Sequence, residues 1–223
     1  RDTILSKVRG ALGAKPGDGR AEAVASRLGT HARNLIPERA RKGRAELATQ
    51  LKSYLEGQSA TVIEVASKDE IPAAVSSYLR NTNLPQRVRA GSDPYLAALP
   101  WTAVPQLERS TGRAAPEDDV GMSHAVAAVS ETGTLVLASG ADNPVTITFL
   151  PENHIVVVEG KSVVGAYEEA WTLVREKFGP GAMPRTVNMV SGPSRTGDIG
   201  GQLVMGAHGP RRLCVILVKE GGA

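Results

Sequence analysis

The chain has 223 residues, 41% hydrophobic and only 4% aromatic, enough to bury an aliphatic core in one domain with an extension. Its formal charge of +3 is uneven: residues 1–57 carry 12 Lys/Arg against 6 Asp/Glu, residues 58–223 carry 14 against 17. The basicity belongs to an N-terminal arm and lacks interleaved aromatics, which argues against a nucleic-acid partner.

In chain order, Ile4, Leu5, Val8 and Leu12 fall at helical spacing. Lys15 to Gly19, with two glycines and a proline, predicts a mobile loop. Glu38 to Leu55 reads as a charged amphipathic helix through Ala40, Leu47, Leu51 and Leu55, closed by Gly57. Charge and pattern together divide the chain into a basic helical arm over 1–57 and an α/β domain over 58–223. Ala60 to Val65 is the first clear strand, a helix runs to about Arg80, and Gln86 to Ala90 predicts a second strand. This alternation indicates an open α/β sheet. Ser92 to Asp119, rich in proline, predicts irregular structure with one short helix. Four β runs follow, at 125–129, 134–138, 146–150 and 155–158. A helix is expected over 163–178, with Ser162 as N-cap, Gly179-Pro180 as its end, and Tyr167 and Trp171 in the core. Thr186 to Val190 and Leu213 to Val218 predict buried strands. No stretch approaches the ~20 apolar residues of a membrane span, no signal-peptide pattern opens the sequence, and the expectation is a cytoplasmic protein.

The chemistry-bearing residues cluster late. Ser191, Gly192, Pro193, Ser194, Arg195 and Thr196 form a loop of small hydroxyl residues after a strand. Such a loop at the carboxyl end of a sheet strand is where open α/β folds bind ligands, and its hydroxyls, N–H groups and guanidinium suit a carboxylate or phosphate. The alternative is a turn with no ligand. Asp198 fits either ligand orientation or the cap of a helix starting at Ile199. His208, in a Gly-Ala-His-Gly-Pro turn with Gly209, fits an acid/base group or a turn histidine bonded to backbone. Glu131, before Thr132, Gly133 and Thr134, is a carboxylate among small residues, a candidate general base or nucleophile, or else a solvated turn residue. The four histidines share no metal-ligand spacing, so no metal site is expected. The P-loop spacing and the Gly-X-Ser-X-Gly elbow are both missing from the sequence. Cys214 is the one cysteine, so this sequence cannot supply the thiolates of an iron–sulfur cluster.

Three blocks occur in order: Glu131-Thr132-Gly133-Thr134-Leu135-Val136-Leu137, then Leu150-Pro151 with His154 to Val158, then Ser191-Gly192-Pro193-Ser194, Asp198-Ile199 and His208-Gly209-Pro210-Arg211. Together they closely resemble the lactate utilization protein C family, the LUD domain. Gly200 stands where that pattern has an acidic residue, and Pro144-Val145-Thr146 where a basic one is often found. The resemblance implies a fold like ribose-5-phosphate isomerases, glucosamine-6-phosphate deaminases and family I CoA-transferases (NagB/RpiA/CoA-transferase-like): an open sheet, helices on both faces, and a β-rich insertion.

It also implies a component of L-lactate oxidation to pyruvate, an accessory subunit that binds a small carboxylate or phosphate, carries no cofactor itself, and partners iron–sulfur subunits. A second reading makes Glu131 the catalytic carboxylate of an acyl-transferase-like or isomerase-like enzyme. A third makes the chain a non-catalytic ligand sensor or assembly module that docks through its basic arm. If the motifs form one site, Glu131, Ser194 and His208 converge on a cleft at the carboxyl ends of the parallel strands.

Overall fold

The computed structural model of the chain describes residues 1–13, 19–199 and 202–219. Two units separate by their internal contacts, Arg1–Leu35 and Ile36–Ala223. The first holds helices α1 (Asp2–Ala11) and α2 (Arg20–Thr30), neither of which buries a residue. The apolar stripe of α1 forms as the spacing predicts, with Ile4, Val8 and Leu12 exposed. The loop expected from Lys15 lies, apart from Gly19, outside the described residues.

The second unit runs α3 (Arg44–Gly57), β1 (Thr61–Val65), α4 (Ile71–Asn81), β2 (Arg87–Ala90), α5 (Pro94–Ala97), β3 (Glu108–Thr111) and β4 (Val120–His124). It continues with β5 (Ala127–Val129), β6 (Thr134–Ala138), α6 (Val145–Phe149), β7 (Asn153–Glu159), β8 (Val163–Val164), α7 (Tyr167–Phe178), β9 (Val187–Val190), β10 (Arg195–Ile199), β11 (Gln202–Met205) and β12 (Arg212–Val218). Six strands form a parallel sheet in the order β1-β12-β7-β4-β2-β3. The middle of β7 (Ile155 to Val158) and of β12 (Leu213 to Val218) is apolar at successive positions because both faces are covered. In β7, Ile155 and Val157 join one core while Val156 and Val158 join another; Cys214 and Ile216 alternate with Val215 and Leu217 in the same way along β12.

Ile71, Val75 and Leu79 of α4 cover the first face. Leu47, Leu51 and Leu55 of α3 cover the second, together with a four-stranded sheet ordered β8-β5-β6-β9. That small sheet is the β-rich insertion, and Ala170 and Val174 of α7 pack on its far side. Each of these fully buried leucines contributes about 1.5–3 kcal/mol of transfer free energy. The expected open α/β sheet with helices on both faces is therefore present.

Several boundaries differ from the sequence reading, each for a physical reason. The helix placed in the arm is α3, whose three leucines fill the sheet's core, so the division falls at Leu35 and Ile36 rather than at residue 57. Residues 146–150 form α6 instead of a strand. Their β-branched side chains favour a strand, but Pro144 and Pro151 bracket the segment, and the Ile147 carbonyl packs against Gly121 where a Cβ would clash. The helix expected from Val163 begins at Tyr167, because Val163 and Val164 pair with β5 as β8. Its first turn is closed by the Glu169 carboxylate, which accepts from Gly165 N–H at 2.8 Å and Ala166 N–H at 3.0 Å, so Ser162 is not the cap. The proline-rich middle holds an extra parallel strand, β3. Asp198 lies within β10 of a hairpin, so no helix begins at Ile199; the Asp198 side chain and Gly200 lie outside what is described.

Candidate functional site

The Ser191 loop follows β9, and β9 pairs with β6 in the small sheet. The loop therefore does not stand at the carboxyl edge of the parallel sheet, where sequence reasoning placed it. It folds over the amino edge, against His154 near the start of β7 and Leu213 near the start of β12. A cleft of about 260 Å³ opens there. Ser191 to Arg195 form one wall, and His208, Gly209 and Pro210 form another. The two walls are tied by backbone: Ser194 N–H donates to the Pro210 carbonyl at 2.8 Å, and Gly206 N–H donates to the Ser194 carbonyl at 2.9 Å.

Within this cleft the hydroxyl of Ser194 accepts the His208 N–H at 3.2 Å, which leaves its own proton available to a ligand. The His208 ring is exposed and Gly209 is half-buried, so acid/base chemistry by His208 remains sterically open. Gly192 has φ +143, and a Cβ there would lie 2.9 Å from Gln58 Cβ; glycine allows the turn to press on the end of α3. Pro193 is buried beneath the turn. Arg195 does not offer its guanidinium freely. Its Nη2 donates to the Gln58 carbonyl and, at 2.8 Å, to the Ser59 hydroxyl, pinning the loop to the turn after α3. Thr196 lies in β10, one residue beyond the cleft wall.

Two residues under the cleft were not singled out from sequence. His154 is buried, its Nε2 lies 2.8 Å from Ser123 Oγ, and burial lowers its pKa to about 3, so the ring is neutral. Thr148 of α6 is also buried, and its hydroxyl has no hydrogen-bond partner among the described residues. An unsatisfied buried hydroxyl costs free energy unless a water or ligand meets it. Side-chain period reveals neither, since His154 opens a run that reads as an ordinary buried strand; the signal that includes it is the second family block, Leu150-Pro151 with His154 to Val158.

The Glu131 block meets this site through hydroxyls rather than through its carboxylate. Thr134 Oγ1 lies 2.7 Å from Ser191 Oγ, 2.7 Å from Thr132 Oγ1 and 3.0 Å from Tyr167 Oη. Tyr167, read as core, does pack against α7's apolar cluster and also closes this network, at 2.9 Å from Thr132. Glu131 itself is buried, with Arg39 Nη2 3.5 Å from its Oε2 and its N–H donating to the Gly165 carbonyl at 3.1 Å. It is not among the residues lining the cleft. Gly133, at φ +66, lets this turn approach Tyr54 of α3. The Cys214 thiol is buried in β12, and burial pushes its pKa up to about 12, which keeps it from acting as a thiolate ligand.

A family model described as the LUD domain matches residues 39–218. The chain is 36% identical over 124 residues to lactate utilization protein C of Geobacillus thermodenitrificans, covering 53% of this chain and 52% of that protein. It is 33% identical over 107 residues to lactate utilization protein C of Bacillus subtilis, covering 48% of this chain and 45% of that protein. The matched stretch thus spans about half the length of these curated relatives. A crystal structure of a DUF162 family protein from Deinococcus radiodurans superposes with a TM-score of 0.59 and 27% identity, covering 79% of this chain and 99% of that one.

Proposed function

Because this chain belongs to the LUD domain family, we propose that it serves lactate utilization as an accessory component of a system oxidising L-lactate to pyruvate. Relatives named lactate utilization protein C support the role. The amino-edge cleft is the site we assign to a small carboxylate or phosphate ligand. The observation that carries this is the meeting of separate sequence blocks there: Ser191 to Ser194 and His208 to Gly209 wall the cleft, His154 and Thr148 lie beneath it, and Thr134 ties in the Glu131 block.

Oxidation of lactate to pyruvate releases two electrons and two protons, and the electrons need an acceptor. One buried cysteine cannot hold an iron–sulfur cluster. In this reading the acceptor is an iron–sulfur cluster on a partner subunit, and this chain binds ligand and docks that subunit. The neutral His154 and the free donor proton of Ser194 orient a bound oxyanion without placing a second negative charge beside it. Among the described residues no helix is long and apolar enough to cross a membrane.

Deleting the gene and testing growth on L-lactate as sole carbon source checks the proposal, together with purification of the tagged protein. The expected result is failure to grow, restored by the wild-type gene, and recovery of an iron–sulfur protein with the tagged chain. Normal growth of the deletion strain with no such protein recovered overturns the reading.

A further inference from the structure

The opposite edge of the parallel sheet carries a second group of polar side chains. Strand β7 ends at Glu159, in register with Val218 at the end of β12, which in turn pairs with Val65 at the end of β1. Strand β4 ends close by, at His124. Asp93 enters from the loop after β2 and is held by accepting the Leu96 N–H at 3.0 Å. The Tyr95 ring stacks on the His124 imidazole, centroids 4.3 Å apart and planes at 21°.

His124 is thereby fixed between two carboxylates. Its Nδ1 lies 3.5 Å from Asp93 Oδ2 and its Nε2 lies 3.5 Å from Glu159 Oε1. Nε2 is buried and makes no hydrogen bond among the described residues, so the Glu159 contact is an attraction without hydrogen-bond alignment. Burial works against a charged ring, but Asp93 and Glu159 outweigh it and hold the imidazole above its ordinary pKa. The imidazole in turn holds Glu159 below the usual carboxylate range, against the pull of burial.

A cavity of about 300 Å³ opens over this edge, bordered by Tyr95, Glu159, Lys161, Ser67, Lys68 and Lys219. Lys161 Nζ is 3.0 Å from Glu159, and Lys219 Nζ is 3.5 Å from Glu64. Lys68 is exposed and forms no ion pair among the described residues. Three ammonium groups therefore rim a cavity whose wall holds one carboxylate, and the His124 imidazole stands behind that carboxylate without lining the cavity. The location is also the crevice outside the carboxyl ends of parallel strands, where open α/β sheets bind ligands.

We propose that this pocket is a ligand site for a small hydroxylated anion. Lys68 and Lys219 receive the anionic head, and the hydroxyl donates to the Glu159 carboxylate, which His124 holds from behind the cavity wall. That acceptor carboxylate discriminates a hydroxyl from a bare methyl or a second anion. The site is distinct from the amino-edge cleft and does not depend on its assignment.

Two kinds of small molecule share this chemistry, hydroxy acids and hydroxyalkyl phosphates; L-lactate and glycerol 3-phosphate are the probes. Each is titrated into the full chain at pH 7 while the imidazole signals are followed by heteronuclear NMR. The His124 signal is assigned with His124→Gln, or through its Overhauser contacts to Tyr95 if that variant does not fold. The expected result is a saturable shift of His124 with at least one probe, its identity naming the ligand class. Lys68→Ala and Lys219→Ala each weaken binding by about tenfold, the scale of one charge-assisted contact. No shift at His124 with either probe overturns the site, as does a shift that both lysine variants leave unchanged. Movement of His208 alone overturns it too, while supporting ligand binding in the amino-edge cleft.

Discussion

Thr134 and Ser191, 57 positions apart in the chain, stand with their hydroxyl oxygens 2.7 Å apart. Thr134 is fully buried at the start of β6, and Ser191 follows β9, its antiparallel neighbour. One pair of hydroxyls thus couples the turn after β5 to the wall of the cleft. Replacing Thr134 with Val keeps the shape and removes the hydroxyl that joins Thr132, Tyr167 and Ser191. Thermal unfolding should show a loss of about 1 kcal/mol, the net worth of a hydrogen bond. Ser191→Ala should lose less, because Ser191 is exposed. Equal stability of Thr134→Val and wild type would show that the network carries no net energy.

Ser194 is a cleft residue whose hydroxyl proton is free for a ligand. Ser194→Ala should weaken binding of a small carboxylate by about 1 kcal/mol, read by calorimetry. It should leave the fold intact, since the His208 N–H it abandons is exposed and takes water instead. Undiminished affinity in this variant would remove Ser194 from the ligand's contacts.

Glu131 gives a separate test of acyl chemistry. Its carboxylate faces Arg39, a half-exposed side chain, and lies off the cleft. Incubation with acyl-CoA and borohydride should leave Glu131 unmodified by mass spectrometry; a reduced adduct there would establish it as a nucleophile. A double-mutant cycle of Glu131→Gln with Arg39→Ala should give a coupling of about 1 kcal/mol or less, because the Arg39 partner is exposed and 3.5 Å away.

Gly133 adopts φ +66, and a Cβ there would stand 2.7 Å from Tyr54 Cβ. Gly133→Ala should therefore destabilise the protein by about 1–3 kcal/mol, combining left-handed backbone strain with a clash against α3. Urea unfolding measures it. A neutral result would mean that the turn relaxes away from α3 at little cost.

His154 and His124 push stability in opposite directions with pH. His154 has its pKa lowered from 6.5 to about 3 by burial. Above pH 6.5 neither state binds its proton. Between pH 6.5 and 3 the unfolded chain takes up a proton that the folded chain refuses, so stability falls on acidification, by on the order of a few kcal/mol. His124 has its pKa raised, so its contribution is full below 6.5 and is lost as pH rises through its higher folded value. His154→Gln should flatten the acid limb of the stability profile, and His124→Gln the limb above pH 6.5. If either limb is unaltered by its own substitution, that histidine does not titrate as stated.

Much was legible in the residues themselves. The alternation of strand and helix, the leucine spacing of α3, the continuous apolar runs of β7 and β12, and the three ordered motifs of the family all rest on short-range pattern, which side-chain period encodes directly. The choice of sheet for β9 was not written in that pattern. An apolar strand of four residues pairs with whichever edge the rest of the chain leaves open, and β9 found β6 rather than the parallel sheet. That pairing put the Ser191 loop at the amino edge and turned Arg195 onto the end of α3. It left the carboxyl edge to His124, Asp93 and Glu159, whose shared site depends on strands meeting far along the chain. Period and composition act within a dozen residues, whereas the position of a site relative to a sheet is settled by nonlocal hydrogen bonding and burial, which only the folded chain determines.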